Sequence, residues 1–271
     1  MLRPFLTKML NWEFWPFWLI YLPVFPYYLF LSLKHRSPFF FSASNPSIEH
    51  GGMFGERKSL IFDLIPPEYY PATFNTANKS WQVIRKEAQK IGYPLIIKPD
   101  VGERGLLVSE IPNEADLKEY LNRYEVDFLL QEKINLPLEL GIFYVRMPDE
   151  DRGQITSIVR KGFLKVVGDG FSTVEELLKK NPRALLQANW EGDFLRGNSS
   201  LVLPKNQELL IEPIGNHCRG TVFFDDNEKI TDSLTTAFDQ IARQIPDFYF
   251  GRFDLKCKSY DSLSKLQDFK I

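Results

Sequence analysis

Cysteine is scarce in this chain. Cys218 and Cys257 are the only two in 271 residues, and they form no CxxC pair. That argues against a disulfide framework and a structural zinc site, and makes a reducing cytosol the default compartment. A basic excess is missing too: 33 Lys and Arg against 35 Asp and Glu give a net charge of −2. Without surplus cations to neutralise phosphates along a duplex, the chain is not expected to bind nucleic acid. The sequence also lacks internal repeats and low-complexity tracts. What remains, 44% apolar and 25% charged residues, is ordinary for a folded protein long enough for one large domain or two smaller ones.

The compositional anomaly is at the start. Residues 14–33 read "FWPFWLIYLPVFPYYLFLSL", with no charge and many aromatics. The run has the length of a membrane span, but Pro16, Pro23 and Pro26 each remove a backbone donor and oppose one continuous helix. It is too long for a signal peptide and no small-residue cleavage site follows it. Three readings stay open: an interfacial anchor, a broken transmembrane helix, or an apolar arm packed on the main domain. The Trp and Tyr content, with Arg3 and Lys8 before it and Lys34, His35 and Arg36 after it, suits a membrane interface. Peripheral membrane contact through residues 14–33 is therefore one expectation, and the location would be cytoplasmic or at the inner membrane face.

Beyond the arm, residues 39–56, "FFFSASNPSIEHGGMFGE", read as a strand followed by a loop. Residues 79–91 place apolar side chains at 81, 84, 88 and 91, the spacing of an amphipathic helix that Gly92 stops. "YPLIIK" is a strand, "LLVSEI" (106–111) a second, Asn113 caps a helix over 114–123, and "DFLLQEKI" is a third strand. Long strands follow in "LGIFYVRM" and "QITSIVRKGFLKVV". "GDGFSTVEELLKK" reads as a turn and a helix with Ser172 and Glu175 as an S-x-x-E capping box. Strands near 208–212 and 220–224, a helix over 231–245 and the strand "FYFGRFDLKC" complete an α+β architecture. Its expected parts are the arm (1–50), a first lobe with a glycine loop (51–131) and a second lobe (132–271).

Three stretches carry chemistry. In "YPLIIKPDVGERGLLV" (93–108) an apolar strand ends in Lys98 and enters a loop with Gly102 and Gly105. Glycine removes the Cβ that keeps an anion from the backbone N–H groups. A Walker loop is excluded, because it needs GxxxxGK[ST] opening into a helix, and a Rossmann turn is excluded because this loop leads to a strand. A plain hairpin explains the loop taken alone. In "FLLQEKINLPLELGIFYV" one strand ends with Glu132 and the next starts with Glu139. A linker strand can bind an adenine through its backbone while the later carboxylate reaches ribose hydroxyls; surface glutamates at a crossover are the plainer reading. In "FGRFDLK" Arg252 and Asp254 are two apart on a strand and share a face. They suit a metal ion and a developing negative charge, or form a simple ion pair.

In this order, "IIKPDVGERG", "LLQEKI…LELGIFYV" and "GRFDLK" resemble the ATP-grasp carboxylate–amine ligases, in pattern the D-alanine–D-alanine ligases, and "VVGDGFSTVEEL" resembles a stretch of cyanophycin synthetases. The resemblance spans roughly residues 55–271, and residues 12–56 resemble the lead-in of uncharacterised ATP-grasp proteins. It implies an ATP-grasp fold, two α/β lobes with the nucleotide between them. It implies ATP and Mg2+ as cofactors, and small-molecule carboxylate and amine substrates. Lys98 would contact the α- and β-phosphates, Lys58 (or Arg57 beside it) would be a second phosphate contact, and Gly102 to Gly105 would form the phosphate lid. Gln131, Glu132, Lys133 and Ile134 would hold adenine and Glu139 the ribose. Arg252 would stabilise acyl-phosphate formation and Asp254 would be the first magnesium ligand. In "EPIGNHCRGTVFF", Arg219 would hold the substrate carboxylate and His217 would act as a general base, unless it is only a surface histidine. Cys218 would not be a nucleophile, since ATP activates the acid. Arg160 and Lys161 are further phosphate candidates. The family's Glu-x-Asn metal ligands do not follow the "DFKI" strand before Ile271, so the expectation is a shortened chain that is itself inactive as a ligase. The alternative is a non-catalytic, membrane-associated nucleotide-binding relative.

Overall fold

Proline and glycine punctuation explains where the first elements fall. The protein, seen here as a computed structural model, is described over residues 15–102, 105–180, 198–212 and 221–271. Helix α1 is Phe17–Tyr21 and α2 is Val24–Lys34. Pro16 and Pro23 occupy their N-cap positions and Pro26 lies in the first turn of α2, where a missing N–H breaks no helical bond. The three prolines thus divide the apolar run into two short helices.

The strand expected in residues 39–56 is instead a pair of 3-10 turns, Phe40–Ser44 and Glu49–Gly52. Asn45, almost fully buried, explains the difference. Its amide donates to the carbonyls of Gly51 (3.1 Å) and Phe250 (2.7 Å) and accepts from the N–H groups of Tyr249 and Phe250. It thereby takes the place of a strand partner. Gly51 sits at φ 65°, and a Cβ there would meet the Ser42 Cα at 2.7 Å, so only glycine fits.

Next come α3 (Lys58–Leu64), β1 (Thr73–Asn75), α4 (Trp81–Ile91), β2 (Leu95–Pro99), β3 (Ser109–Ile111), α5 (Glu114–Arg123) and β4 (Phe128–Glu132). Gly92 ends α4 at φ 94°, and the Asn113 side chain caps α5 by accepting from the Asp116 N–H, both as the sequence implies. These strands form a four-stranded sheet in the order β1-β4-β2-β3. Buried Leu95, Ile97, Leu117, Phe128 and Leu130 make its core with Ile84 and Ala88 of α4, each large apolar side chain contributing about 2 kcal/mol.

A second sheet uses β5 (Leu138–Val145), β6 (Gln154–Gly162), β9 (Val222–Asp225), β10 (Phe250–Cys257) and β11 (Phe269–Lys270), in the order β11-β10-β5-β6-β9. Helices α7 (Asp232–Ala242) and α8 (Tyr260–Ser264) accompany it. Leu140, Ile142, Tyr144, Phe253 and Leu255 share one core with Leu234, Phe238 and Ile241 of α7. The opposite face of β5 and β10 is left for polar groups, as strand alternation requires.

The single strand expected over 154–167 divides at Phe163. Its second part, β7 (Leu164–Val167), pairs with β8 (Glu208–Glu212) in a separate two-stranded sheet. Helix α6 (Val174–Lys180) follows β7. Its capping box is one residue later than expected: the Thr173 N–H donates to Glu176 and the Glu176 N–H to the Thr173 hydroxyl, because Asp169 engages Ser172. Met1–Phe40 with Gly162–Phe223 is one compact unit, and Phe41–Lys161 with Phe224–Ile271 is the other. The α+β class read from the sequence is what the chain adopts.

Candidate functional site

Both clusters of chemically useful side chains lie in the unit Phe41–Lys161 with Phe224–Ile271. The first surrounds the end of β2. Lys98 lies between two buried neighbours, Ile97 and Pro99, and its ammonium donates to the Gln131 side-chain oxygen at 2.9 Å and stands 4.9 Å over the Phe62 ring. These partners are a neutral amide and an aromatic face, not a carboxylate. Burial pushes the Lys98 ammonium down from 10.5 to about 8, and the charge of Lys58 adds to the effect.

Lys58 is placed by the start of α3. Its N–H donates to the Asp100 carbonyl at 3.1 Å, and its ammonium donates to the carbonyls of Asp100 (3.2 Å) and Gly102 (2.8 Å). Buried Asp100 holds this arrangement by accepting from the Ser59 N–H and hydroxyl and from Asn75. A Cβ on Gly102 would come within 2.9 Å of Pro99 Cγ, so the approach of chain to chain here requires glycine. Lys58 therefore touches the glycine loop at Gly102, while the Lys98 ammonium turns to Gln131 and Phe62 and lies near enough to Lys58 to feel its charge. Arg57 turns elsewhere, to Glu49 at 2.6 Å.

The strand Gln131 to Ile134 divides by role. Gln131 is buried and its backbone is paired on both sides, with Thr73 of β1 and Ile96 of β2. Its side chain holds Lys98 and donates to the Thr73 hydroxyl at 2.8 Å. The Glu132 N–H donates to the Ala72 carbonyl. The backbone of Gln131 and the Glu132 N–H are thus already bonded within the sheet. Lys133 and Ile134 line an open cavity of about 610 Å³ together with Glu132, Tyr69 and Phe269, a size in the range of small-molecule sites. Lys133 pairs with Glu110.

The second cluster is a row of charges on the polar face of the five-stranded sheet. Arg252 holds both oxygens of Asp254, at 2.8 and 3.0 Å. Lys161 reaches Glu139 at 2.8 Å and Asp254 at 3.7 Å, and Lys256 reaches Glu139 at 3.7 Å. The register explains the row, since Asp254 lies opposite Gly141 and Lys256 opposite Glu139. A Cβ on Gly141 would stand 3.1 Å from Arg252 Cδ and 3.2 Å from an Asp254 oxygen, so glycine leaves room for the pair. Lys256 also approaches the Ile134 carbonyl at 3.5 Å, which links the row to the connector after β4.

Of the two neighbouring phosphate candidates, only Lys161 belongs to this row. Arg160 points to the other face and pairs with Asp226 at 2.8 Å, because adjacent strand residues project oppositely. His217 and Arg219, with Cys218, lie outside the described residues, as do residues 103–104 of the loop. Cys257 is buried, with its thiol pushed up to about 11 by burial, and so is no nucleophile.

No family model matches the chain, and no curated protein does. Some solved structures are similar to it. A bifunctional glutathione synthetase from Pasteurella multocida is 14% identical with a TM-score of 0.42, over 79% of this chain and 31% of that one. A carboxyaminoimidazole ribonucleotide synthase from Aspergillus clavatus, complexed with ATP, is 11% identical with a TM-score of 0.42, over 72% and 38%. A D-alanine–D-alanine ligase from Bacillus anthracis is 10% identical with a TM-score of 0.41, over 75% and 52%. The chain thus spans between about a third and a half of the length of the structures it matches. Likeness at this level assigns no activity to the chain.

The donor set decides the fit of a metal. Magnesium asks for near-octahedral oxygen ligands. Among the described residues no three His, Cys, Asp or Glu side chains gather to hold an ion, and both Asp254 oxygens are engaged by Arg252. These residues do not by themselves fit a magnesium site, and no step below is routed through one. The signals that reveal Asp100 and Lys256 are short ones: Asp100 is two beyond Lys98, and Lys256 two beyond Asp254, on strand ends where alternate residues share a side.

Proposed function

We propose that this chain binds the phosphates of ATP at Lys58, Lys98 and the Gly102–Gly105 loop, in the manner of an ATP-grasp carboxylate–amine ligase. One observation carries the reading: the Lys58 ammonium bonds the glycine loop at Gly102, and the neighbouring buried Lys98 ammonium is held by neutral partners. An anion there would form charge-assisted hydrogen bonds with the Lys98 ammonium, whose partners are a neutral amide and an aromatic ring. Lys133 and Ile134 offer the adenine a backbone edge beside the cavity.

In this reading a substrate carboxylate oxygen attacks the γ-phosphorus of ATP, the bond to ADP breaks, and an acyl phosphate forms. An amine nitrogen then attacks the acyl carbon and inorganic phosphate leaves with the electron pair, while the amine gives up a proton. The chain's share is positioning and charge stabilisation. Lys98 and Lys58 balance the phosphate charge, and Arg252 meets the oxyanion that develops on the acyl side, with Lys161 beside it. Closure of the glycine loop keeps water from the acyl phosphate.

A second reading, nucleotide binding without turnover, is favoured by the bidentate Arg252–Asp254 pair, which engages both groups that chemistry would need. Titration of the full chain with ATP, followed by phosphate release in the presence of carboxylic acids and amines, separates the outcomes. Binding lost in Lys98→Met supports the site, and absence of ATP binding overturns it. Binding with no release in any acid and amine pair selects the second reading.

A further inference from the structure

The two N-terminal helices carry an inference that does not rest on the nucleotide reading. Helix α2 is apolar on every side. At about 100° per residue, Val24, Phe25, Leu29, Leu33, Phe30 and Tyr27 follow one another round its full circumference. All six are exposed, Leu33 at 71%, and no residue of the helix is buried; only a narrow stripe of Tyr28, Leu31 and Ser32 is half-covered, with Tyr28 against Phe40. Trp18 on α1 is 62% exposed. A protein partner, or a second copy of this chain, covers one side of a helix and leaves the opposite side in water. A helix that is apolar all round asks instead for a medium that surrounds it.

Charge points the same way. Residues 14–48 contain no Asp or Glu, and their charged groups are Lys34 and Arg36 flanking His35, at the C-terminal end of α2. An acidic protein surface would complement them, but would leave the rest of the circumference wet. Tryptophan and tyrosine, apolar in body and polar at one edge, belong at the headgroup level of a bilayer. The lengths of the helices decide depth. With 5 and 11 residues they measure about 8 and 16 Å, short of the ~30 Å hydrocarbon layer. Among the described residues no helix is long and apolar enough to cross a membrane.

We propose that residues 15–36 attach the protein to one leaflet of an anionic lipid bilayer. The apolar circumference of α2 enters the acyl layer, and Lys34 and Arg36 stay among the lipid phosphates. The anchor is monotopic, with both ends of the helix pair on the same side.

Vesicle flotation of the full chain tests this, with phosphatidylcholine alone and with phosphatidylcholine mixed with phosphatidylglycerol. The protein is expected to float with both and to bind the anionic vesicles on the order of tenfold more tightly at low salt. Replacing Leu29, Phe30 and Leu33 together by serine is expected to weaken flotation by at least about tenfold with the melting temperature unchanged, since all three are exposed. If that variant is misfolded, brominated acyl chains decide on the unaltered protein, because they quench tryptophan only when the anchor is immersed. Failure to float on either composition overturns the proposal. So does a lipid-free dimer that the serine variant dissolves, or protein that resists alkaline extraction as a spanning segment would. Equal binding to neutral and anionic vesicles overturns the role given to Lys34 and Arg36.

Discussion

The cations of the two sheets live in opposite circumstances. On the five-stranded sheet Arg252, Lys161 and Lys256 each face Asp254 or Glu139, so every cation of the row has a carboxylate neighbour. On the four-stranded sheet Lys98 faces a neutral amide and an aromatic ring, with Lys58 close enough to disfavour its charge. The first arrangement is stable without a ligand. The second costs stability, and a perturbed group of this kind is what the proposed phosphate site would exploit. Charged residues therefore do different things on the two sheets.

The sharpest way to break the contrast is Lys98→Met. Isothermal titration should show ATP affinity falling by about a hundredfold, the loss of charge-assisted hydrogen bonds to phosphate. The melting temperature at pH 7 should not fall with it, because a costly buried charge is removed as well.

The pH dependence of stability sharpens the contrast. The Lys98 ammonium titrates near 8 when folded and near 10.5 when unfolded, so between these values the unfolded chain binds more protons. Stability contributed by this group is therefore lowest below pH 8 and rises as pH increases towards 10.5. The gain should be about 2 kcal/mol in denaturant unfolding, discounted for partial exposure, and it should vanish in Lys98→Met.

Gln131→Leu leaves the charge but removes its holder, and a smaller fall in ATP affinity, about tenfold, is expected in the same titration. Smallest is Asp254→Asn. It breaks an ion pair that is about half exposed on both sides, so chemical unfolding should change by less than about 1 kcal/mol. If the row takes part in ligation, phosphate release falls far more than stability does.

Much of this could be read from the sequence where local rules are strong. The helix at 81–91, its glycine stop, the Asn113 cap and the strand ending at Lys98 follow from periodicity and punctuation. Alternation along a strand also identifies which of Arg160 and Lys161 can join Asp254. The rest depends on distant partners. The turns at 40–52 form because Asn45 bonds to Tyr249 and Phe250, about two hundred residues away. The capping box moves to Thr173 because Asp169 occupies Ser172. Within the site, the lysine and glycine pattern is visible in the chain itself. The neutral holder of Lys98 is not, since only the β2–β4 pairing brings Gln131 to it.

The Gln131 amide has a direction as well as a position. The Thr73 hydroxyl donates its single proton to the Pro71 carbonyl at 2.8 Å, so it can only accept from Gln131. That obliges the NH2 end of the amide to turn towards Thr73 and the oxygen to turn towards Lys98. A main-chain oxygen at the entrance to an edge strand thus dictates, through two relayed protons, which pole of an amide a lysine sees. Thr73→Val would leave the amide oriented by the ammonium alone and strand its NH2 without the Thr73 acceptor, loosening the holder of Lys98 without touching the lysine.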